Sequence, residues 1–167
     1  YLPTASYCGR IRGDFLNMTA LVCGNRFGRG ILRPGGVAVD IDERIMAELT
    51  KRLNASLRDV TVAVNLLWET PSVVERFEET GVVSREIADD LGLVGLAARA
   101  CGIERDGRFD FPSGIFRFSQ IPVSSYAAGD VFARAHVRWL EVQRSIEFIH
   151  DQLKNLPSGQ IQEDRKS

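Results

Sequence analysis

The chain has 167 residues, 44% hydrophobic and 26% charged, a mix that folds a core of ordinary size and excludes a disordered or fibrous chain. Its 21 basic and 22 acidic residues leave a formal charge of -1, so no global field holds nucleic acid or an anionic membrane. Charges interrupt every apolar run before the roughly 20 residues needed to span a bilayer, so membrane association has to come through partners.

From Tyr7 to about Cys23, Ile11, Phe15, Leu16, Met18, Leu21 and Val22 recur at helical spacing, and Gly24 with Asn25 stops the pattern. Gly24, Gly28, Gly30, Pro34, Gly35 and Gly36 then stand among Arg26, Arg29 and Arg33, which predicts a shaped loop without regular structure. Asp40 is placed to cap a long helix, with Glu43 three residues on and a stripe of Ile41, Ile45, Met46, Leu49, Leu53, Leu57 and Val60 running to about Leu67. Thr70 followed by Pro71 predicts a capped short helix ending before Gly81, and Ser84 caps another that stops at Gly92.

Short strands are expected at Leu93 to Arg99 and, from the alternation of Phe116, Phe118, Ile121 and Val123, at Phe116 to Val123. Asp130 opens the last long helix, whose stripe of Val131, Ala135, Leu140, Val142, Ile146, Ile149 and Leu153 ends near the basic Lys154. The expected fold is therefore mainly α, a helical bundle of two or three long helices with short helices and minor β-strands. We expect a single helical domain over residues 1–156 and a flexible, turn-forming tail over 157–167. The opening at Tyr1, without methionine and already domain-like, reads as the interior of a longer subunit.

Few residues invite chemistry. Cys8, Cys23 and Cys101 are odd in number, widely spaced and without a secretory leader, which points to a reduced, intracellular setting. With His136 and His150 they form no Cys-x-x-Cys pair and no close helical pair, so neither zinc nor a cluster is supported. Buried thiols and surface histidines are the plainer expectation. Gly24, Gly28 and Gly30 beside Arg26 and Arg29 suit an anion in composition, yet the Lys-Ser/Thr ending and the strand-to-helix setting of a phosphate loop are missing. A helix stop and turn explains them better. Neither histidine has a context that makes a nucleophile-base pair, and Ser84 is accounted for as a cap.

Gly92, Gly95, Arg99, Gly102, Ile103, Asp106 and Arg108 stand at the spacing Gly-x-x-Gly-x-x-x-Arg-x-x-Gly-Ile-x-x-Asp-x-Arg. This string resembles the quinone-site, hydrogenase-like subunit of respiratory complex I. The likeness continues through Pro112, Gly129 and Asp130, the helix with Arg134, Glu141, Arg144 and Ser145, and the ending Asn155 to Gly159. Upstream, Cys23 to Gly30 with Arg33, Pro34, Gly35, Gly36 and Val37 is more similar to the large subunit of energy-converting NiFe hydrogenases of the formate hydrogenlyase type.

The resemblance implies a partial hydrogenase large-subunit-like fold. It implies a cytoplasmic subunit, peripheral on the inner face of a membrane, that packs on a small iron-sulfur subunit and membrane subunits and passes electrons to protons or quinone. Such subunits hold a nickel-iron centre on two Cys-x-x-Cys pairs or line a quinone site with an early histidine-rich loop. This sequence has neither, so no catalytic, cofactor-binding or metal-binding residue carries over and the stretch is expected to be inactive alone. Its matched residues read as scaffold: Gly35, Gly36, Gly92, Gly95 and Gly102 for turns or close approach, and Arg99, Asp106, Arg108, Asp130 and Arg134 for polar work.

Arg99 stands amid small and apolar neighbours. If buried, its guanidinium needs a carboxylate or carbonyls, with Asp106 and Asp130 as candidates by composition; an exposed side chain is the alternative. Two other classes compete with the oxidoreductase scaffold. One is a self-contained, non-catalytic helical interaction module. The other is a small metal or nucleotide enzyme using Cys23, Cys101 or the Gly24 to Gly30 loop.

Overall fold

A computed structural model describes residues 3–163. Its elements are α1 (Pro3–Cys23), β1 (Leu32–Arg33), β2 (Gly36–Val37), α2 (Glu43–Trp68), α3 (Pro71–Val74), α4 (Arg85–Asp90), α5 (Gly95–Ala100), α6 (Gly107–Asp110), a 3-10 turn at Gly114–Arg117 and α7 (Val131–Lys154). The chain is mainly helical, as the periodicity predicts, with minor strands. It gathers into two compact units, one holding the chain up to Val64 and again from His150, the other Asn65–Ile149.

In the first unit, α1 buries Ile11 and Met18, and α2 buries Leu49, Leu53 and Ala63, positions that share a helix face. Arg10 of α1 reaches Asp59 of α2 at 2.8 Å. The cap of α2 falls on Asp42 rather than Asp40. The helix starts at Glu43, so the Asp42 carboxylate accepts the Ile45 amide at 2.7 Å, while Asp40 holds only the amide of Ile41 next to it.

The glycine-rich segment is more regular than its composition predicts. Leu32 pairs with Val37 and Arg33 with Gly36 in an antiparallel hairpin, turned by Pro34 and by Gly35 at φ +90°, the positive value needed at the second central position of such a turn. Residues 161–163, part of the expected loose tail, lie along the hairpin. The Val37 amide donates to the Ile161 carbonyl at 2.9 Å, and the Glu163 amide donates to Gly35 at 3.0 Å. A Cβ at Gly36 would stand 2.2 Å from the Ile161 oxygen, so only glycine fits there. Residues 164–167 of that tail lie outside the described residues.

In the second unit Thr70 precedes α3 without a side-chain cap, because its hydroxyl donates to the Leu66 carbonyl instead. Ser84 does cap α4, accepting the Ile87 amide. The core between α4, α5 and α7 is built from small residues. Ala88, Ala98, Ala100, Ala133 and Val137 are fully buried, which lets the backbones approach closely.

Neither expected strand forms in this unit. Gly95–Ala100 is helical, since its small residues pack on two sides, and Phe116 to Val123 begins inside the 3-10 turn and continues without strand structure. Arg144 of α7 holds that chain, donating to the Pro122 and Val123 carbonyls and to the buried Ser124 hydroxyl at 2.7 Å. Two carbonyls at the end of the segment are thus taken by a guanidinium rather than by a strand partner.

Candidate functional site

Arg99, Asp106 and Arg108 of the Gly92 to Arg108 string converge on one buried ionic group. Arg99, in the last turn of α5, is 5% exposed, and Asp106, the N-cap of α6, is 6% exposed. Charges so far from water persist only when paired. Arg108 supplies the closest pairing: its Nε donates to Asp106 Oδ1 at 2.9 Å and its Nη2 to Oδ2 at 2.6 Å. The Arg108 amide also donates to Oδ1 at 3.0 Å, which is the capping bond of α6.

Arg99 faces the same carboxylate at 3.5 Å through Nη1, and its Nη2 donates to Glu141 of α7. Glu141 Oε1 also receives Arg108 Nη2 at 3.4 Å. Two arginines and two carboxylates thus alternate, joining α5, α6 and α7. Arg108's two-pronged hydrogen bonding, then its charge and that of Arg99, keep the Asp106 carboxyl below its ordinary value. Asp106 is a fixed anion here. The group fastens three helices.

A second knot lies at the start of α7. Asp130 is not a partner of Arg99. Its Oδ1 caps α7 through the Ala133 amide at 2.7 Å, and its Oδ2 accepts the Glu79 amide at 3.0 Å, where Glu79 has φ +54°. Gly129 donates to Ala100 and accepts from Val83, and a Cβ on it would lie 2.1 Å from the Val83 oxygen. Arg134 closes the knot by donating to the carbonyls of Gly129 at 2.8 Å and Gly81 at 3.2 Å.

Of the glycines in the string, Gly102 (φ +76°) donates to Tyr126 and sits against Ala127, whereas Gly92 and Gly95 (φ +63° each) have open space around them. They are required for backbone sign alone. Beside the knot, Trp68, Phe77, Tyr126, Phe132 and His136 form an aromatic group, with Trp68 and Phe132 centroids 5.0 Å apart and Phe132 stacked on His136. His136 is therefore packed and not on an open helix surface. Tyr126 and Phe132 also line a hollow of about 560 Å³ with Glu75, Glu78, Glu79 and Asp130.

The thiols do not assemble. Cys101 is buried in the small-residue core and donates to Ala97, Cys23 is half-buried, and Cys8 is exposed, against the expectation that all three are buried. Among the described residues no three His, Cys, Asp or Glu side chains could hold a metal ion. The Gly24 to Gly30 loop is no phosphate cradle. Asn25 Oδ1 takes the amides of Phe27 and Arg29 that an anion would need.

Glu141 and Arg144 are the functional side chains that the sequence left without a role. They sit seven and ten residues beyond Arg134 on the same helix, a spacing that marks one face but names no partner.

The chain is similar to known proteins along nearly its whole length. A family model described as the respiratory-chain NADH dehydrogenase 49 kDa subunit matches residues 2–167. NADH-quinone oxidoreductase subunit 4 of Thermus thermophilus is 33% identical over 157 residues, 94% of this chain and 38% of that protein. An NADH-quinone oxidoreductase subunit of Deinococcus radiodurans is 36% identical over 142 residues, 85% of this chain and 35% of its own length. The chain thus spans under two fifths of these two curated relatives. Among solved structures, a chain of the membrane-bound sulfane sulfur reductase, an archaeal respiratory membrane complex, superposes with a TM-score of 0.81 at 25% identity, covering 97% of this chain and 43% of that one.

Proposed function

The chain belongs to the family of the 49 kDa subunit of respiratory-chain NADH dehydrogenase, and we propose that it is scaffold within the large subunit of a multisubunit oxidoreductase. That subunit passes electrons from iron-sulfur clusters to a terminal acceptor, quinone in the first place. The observation that carries the scaffold role is the closed group of Arg99, Asp106, Arg108 and Glu141. Its two arginines balance its two carboxylates, and it ties three helices.

The partners in this reading are a small iron-sulfur subunit and membrane subunits, with the large subunit peripheral on the inner face of the membrane. No helix among the described residues is long and apolar enough to cross a membrane, which agrees with attachment through partners. Relatives carrying the words NADH-quinone oxidoreductase support quinone as acceptor.

A narrower placement, with energy-converting NiFe hydrogenases of the formate hydrogenlyase type, is favoured by the string Cys23 to Gly30 and by Arg33 to Val37. Flanking coding sequence separates the two. A pair of Cys-x-x-Cys motifs marks the hydrogenase, and a histidine-rich loop without them marks the quinone reductase.

The test is to disrupt the gene and assay isolated membranes for electron transfer to quinone and for hydrogen evolution. Loss of one activity, restored by the intact gene, is the expected result and identifies the acceptor. Unchanged values of both would favour the alternative, a non-catalytic helical interaction module.

A further inference from the structure

The loop between α1 and β1 is built to hold its shape without a core of its own. Gly24, Gly28 and Gly30 all take positive φ, Asn25 Oδ1 accepts the amides of Phe27 and Arg29 at 2.9 and 3.3 Å, and the Asn25 carbonyl accepts Gly28. The Ala38 amide donating to Ile31 at 2.8 Å closes the far side. On this fixed frame the large side chains go outward. Phe27 is 70% exposed and Leu32 81%, and Arg26, Arg29 and Arg33 are exposed as well.

The local charge is one-sided. No Asp or Glu occurs between Asp14 and Asp40, while three arginines do. Among the described residues none of the three joins an ion pair, although the fold brings Glu163 to Gly35 beside Arg33. A loop that spends hydrogen bonds on displaying two bulky apolar groups gains nothing from them in its own unit.

We infer that this loop is a docking surface for an acidic, apolar-centred segment of another polypeptide in the assembly. Phe27 and Leu32 enter apolar depressions on that segment, and Arg26, Arg29 and Arg33 pair with its carboxylates. The cations are all arginine, whose planar fork matches a carboxylate in two places. Phenylalanine and arginine are side chains that protein interfaces concentrate. The frame is already ordered, so little conformational freedom is lost on docking. A lipid surface is a poorer match, since recruitment to anionic membranes draws on clusters of about four to eight basic residues. A polyanion is poorer still for a chain with a formal charge of -1.

The inference rests on reading this chain as one member of a multisubunit complex. Its test uses the complex purified from membranes, with Phe27→p-benzoyl-phenylalanine as a photo-cross-linking probe and mass spectrometry of the linked peptides. The expected result is a link to a different subunit, in a stretch where Asp and Glu outnumber Lys and Arg. Adding Arg26→Ser, Arg29→Ser and Arg33→Ser lowers the yield on the order of tenfold, and lysine at the three positions, which keeps the charge without the fork, restores only part of it.

Selective loss of the linked subunit from the serine complex counts as the same result. Links confined to this chain, to phospholipid or to a neutral or basic stretch, no link at all, or a yield indifferent to the serine changes overturn the inference. Quinone reduction and hydrogen evolution on the same membranes report on the preceding proposal and can fail independently.

Discussion

Arg108 meets Asp106 with both prongs of its guanidinium, Nε on Oδ1 at 2.9 Å and Nη2 on Oδ2 at 2.6 Å, and so fixes the carboxylate that Arg99 faces from α5 at 3.5 Å. A residue two positions away in sequence thereby prepares the anion for a cation seven positions away. Removing Arg99 leaves Asp106 buried with one cation and Glu141 with a distant one. Arg99→Ala is expected to cost about 3 kcal/mol, the lower end for breaking a buried pair, which lowers Tm by roughly 6–12 °C in a chain of this size. Calorimetry of the variant checks this, and an unchanged Tm contradicts it.

The same carboxylate sets a pH dependence. Arg108 first, and Arg99 by its charge, hold Asp106 below the ordinary value of 3.8. The folded chain therefore takes up that proton less readily than the unfolded chain. The stabilisation is complete above the unfolded value and disappears as pH falls through the lower folded one. Urea unfolding should show Asp106→Asn losing less stability than the parent chain between about pH 4 and pH 2. Parallel pH profiles for the two would contradict the assignment.

How much of this was legible in the sequence differs by kind of residue. The long helices were, because their stripes repeat over many turns, and the cap at Ser84 was, because capping is local, whereas Asp130 was legible only as the acidic start of α7. Asp106 beside Arg99 was legible as a candidate, but Glu141 was not. It lies 42 positions from Arg99, and nothing local distinguishes it from a solvated helix carboxylate. The missing strands have a similar cause. The Gly95–Ala100 segment is decided by small residues packing on two neighbours, and Phe116 to Val123 by Arg144, both long-range effects that override alternation.

Glycines separate two kinds of constraint. Gly129→Ala combines a positive φ with a Cβ placed 2.1 Å from the Val83 oxygen, so it should cost at least ~3 kcal/mol. Gly92→Ala meets open space at φ +63° and should cost only about 1–2 kcal/mol. Denaturation midpoints of the pair give the order directly, and equal losses would mean that close approach at Gly129 is not the constraint.

Asp130 serves two amides, and the two oxygens can be tested together. Asp130→Ala leaves the Ala133 and Glu79 amides without their acceptor, for an expected loss of about 2–4 kcal/mol. Asp130→Asn keeps one side-chain oxygen and should recover part of it. Amide hydrogen exchange at Ala133 and Glu79 reports which bond survives, and unchanged protection of both in the alanine variant would remove Asp130 from this role.

A buried ionic group that holds the scaffold and takes no part in electron transfer should affect how much complex assembles, and not how fast each complex turns over. The decisive measurement is the rate of electron transfer per assembled complex in membranes whose large subunit carries Arg99→Ala. Fewer assembled complexes are expected, with the rate per complex and the KM for the acceptor unchanged. A normal amount of complex with a depressed rate per complex would place Arg99 in the catalytic machinery and contradict the scaffold role.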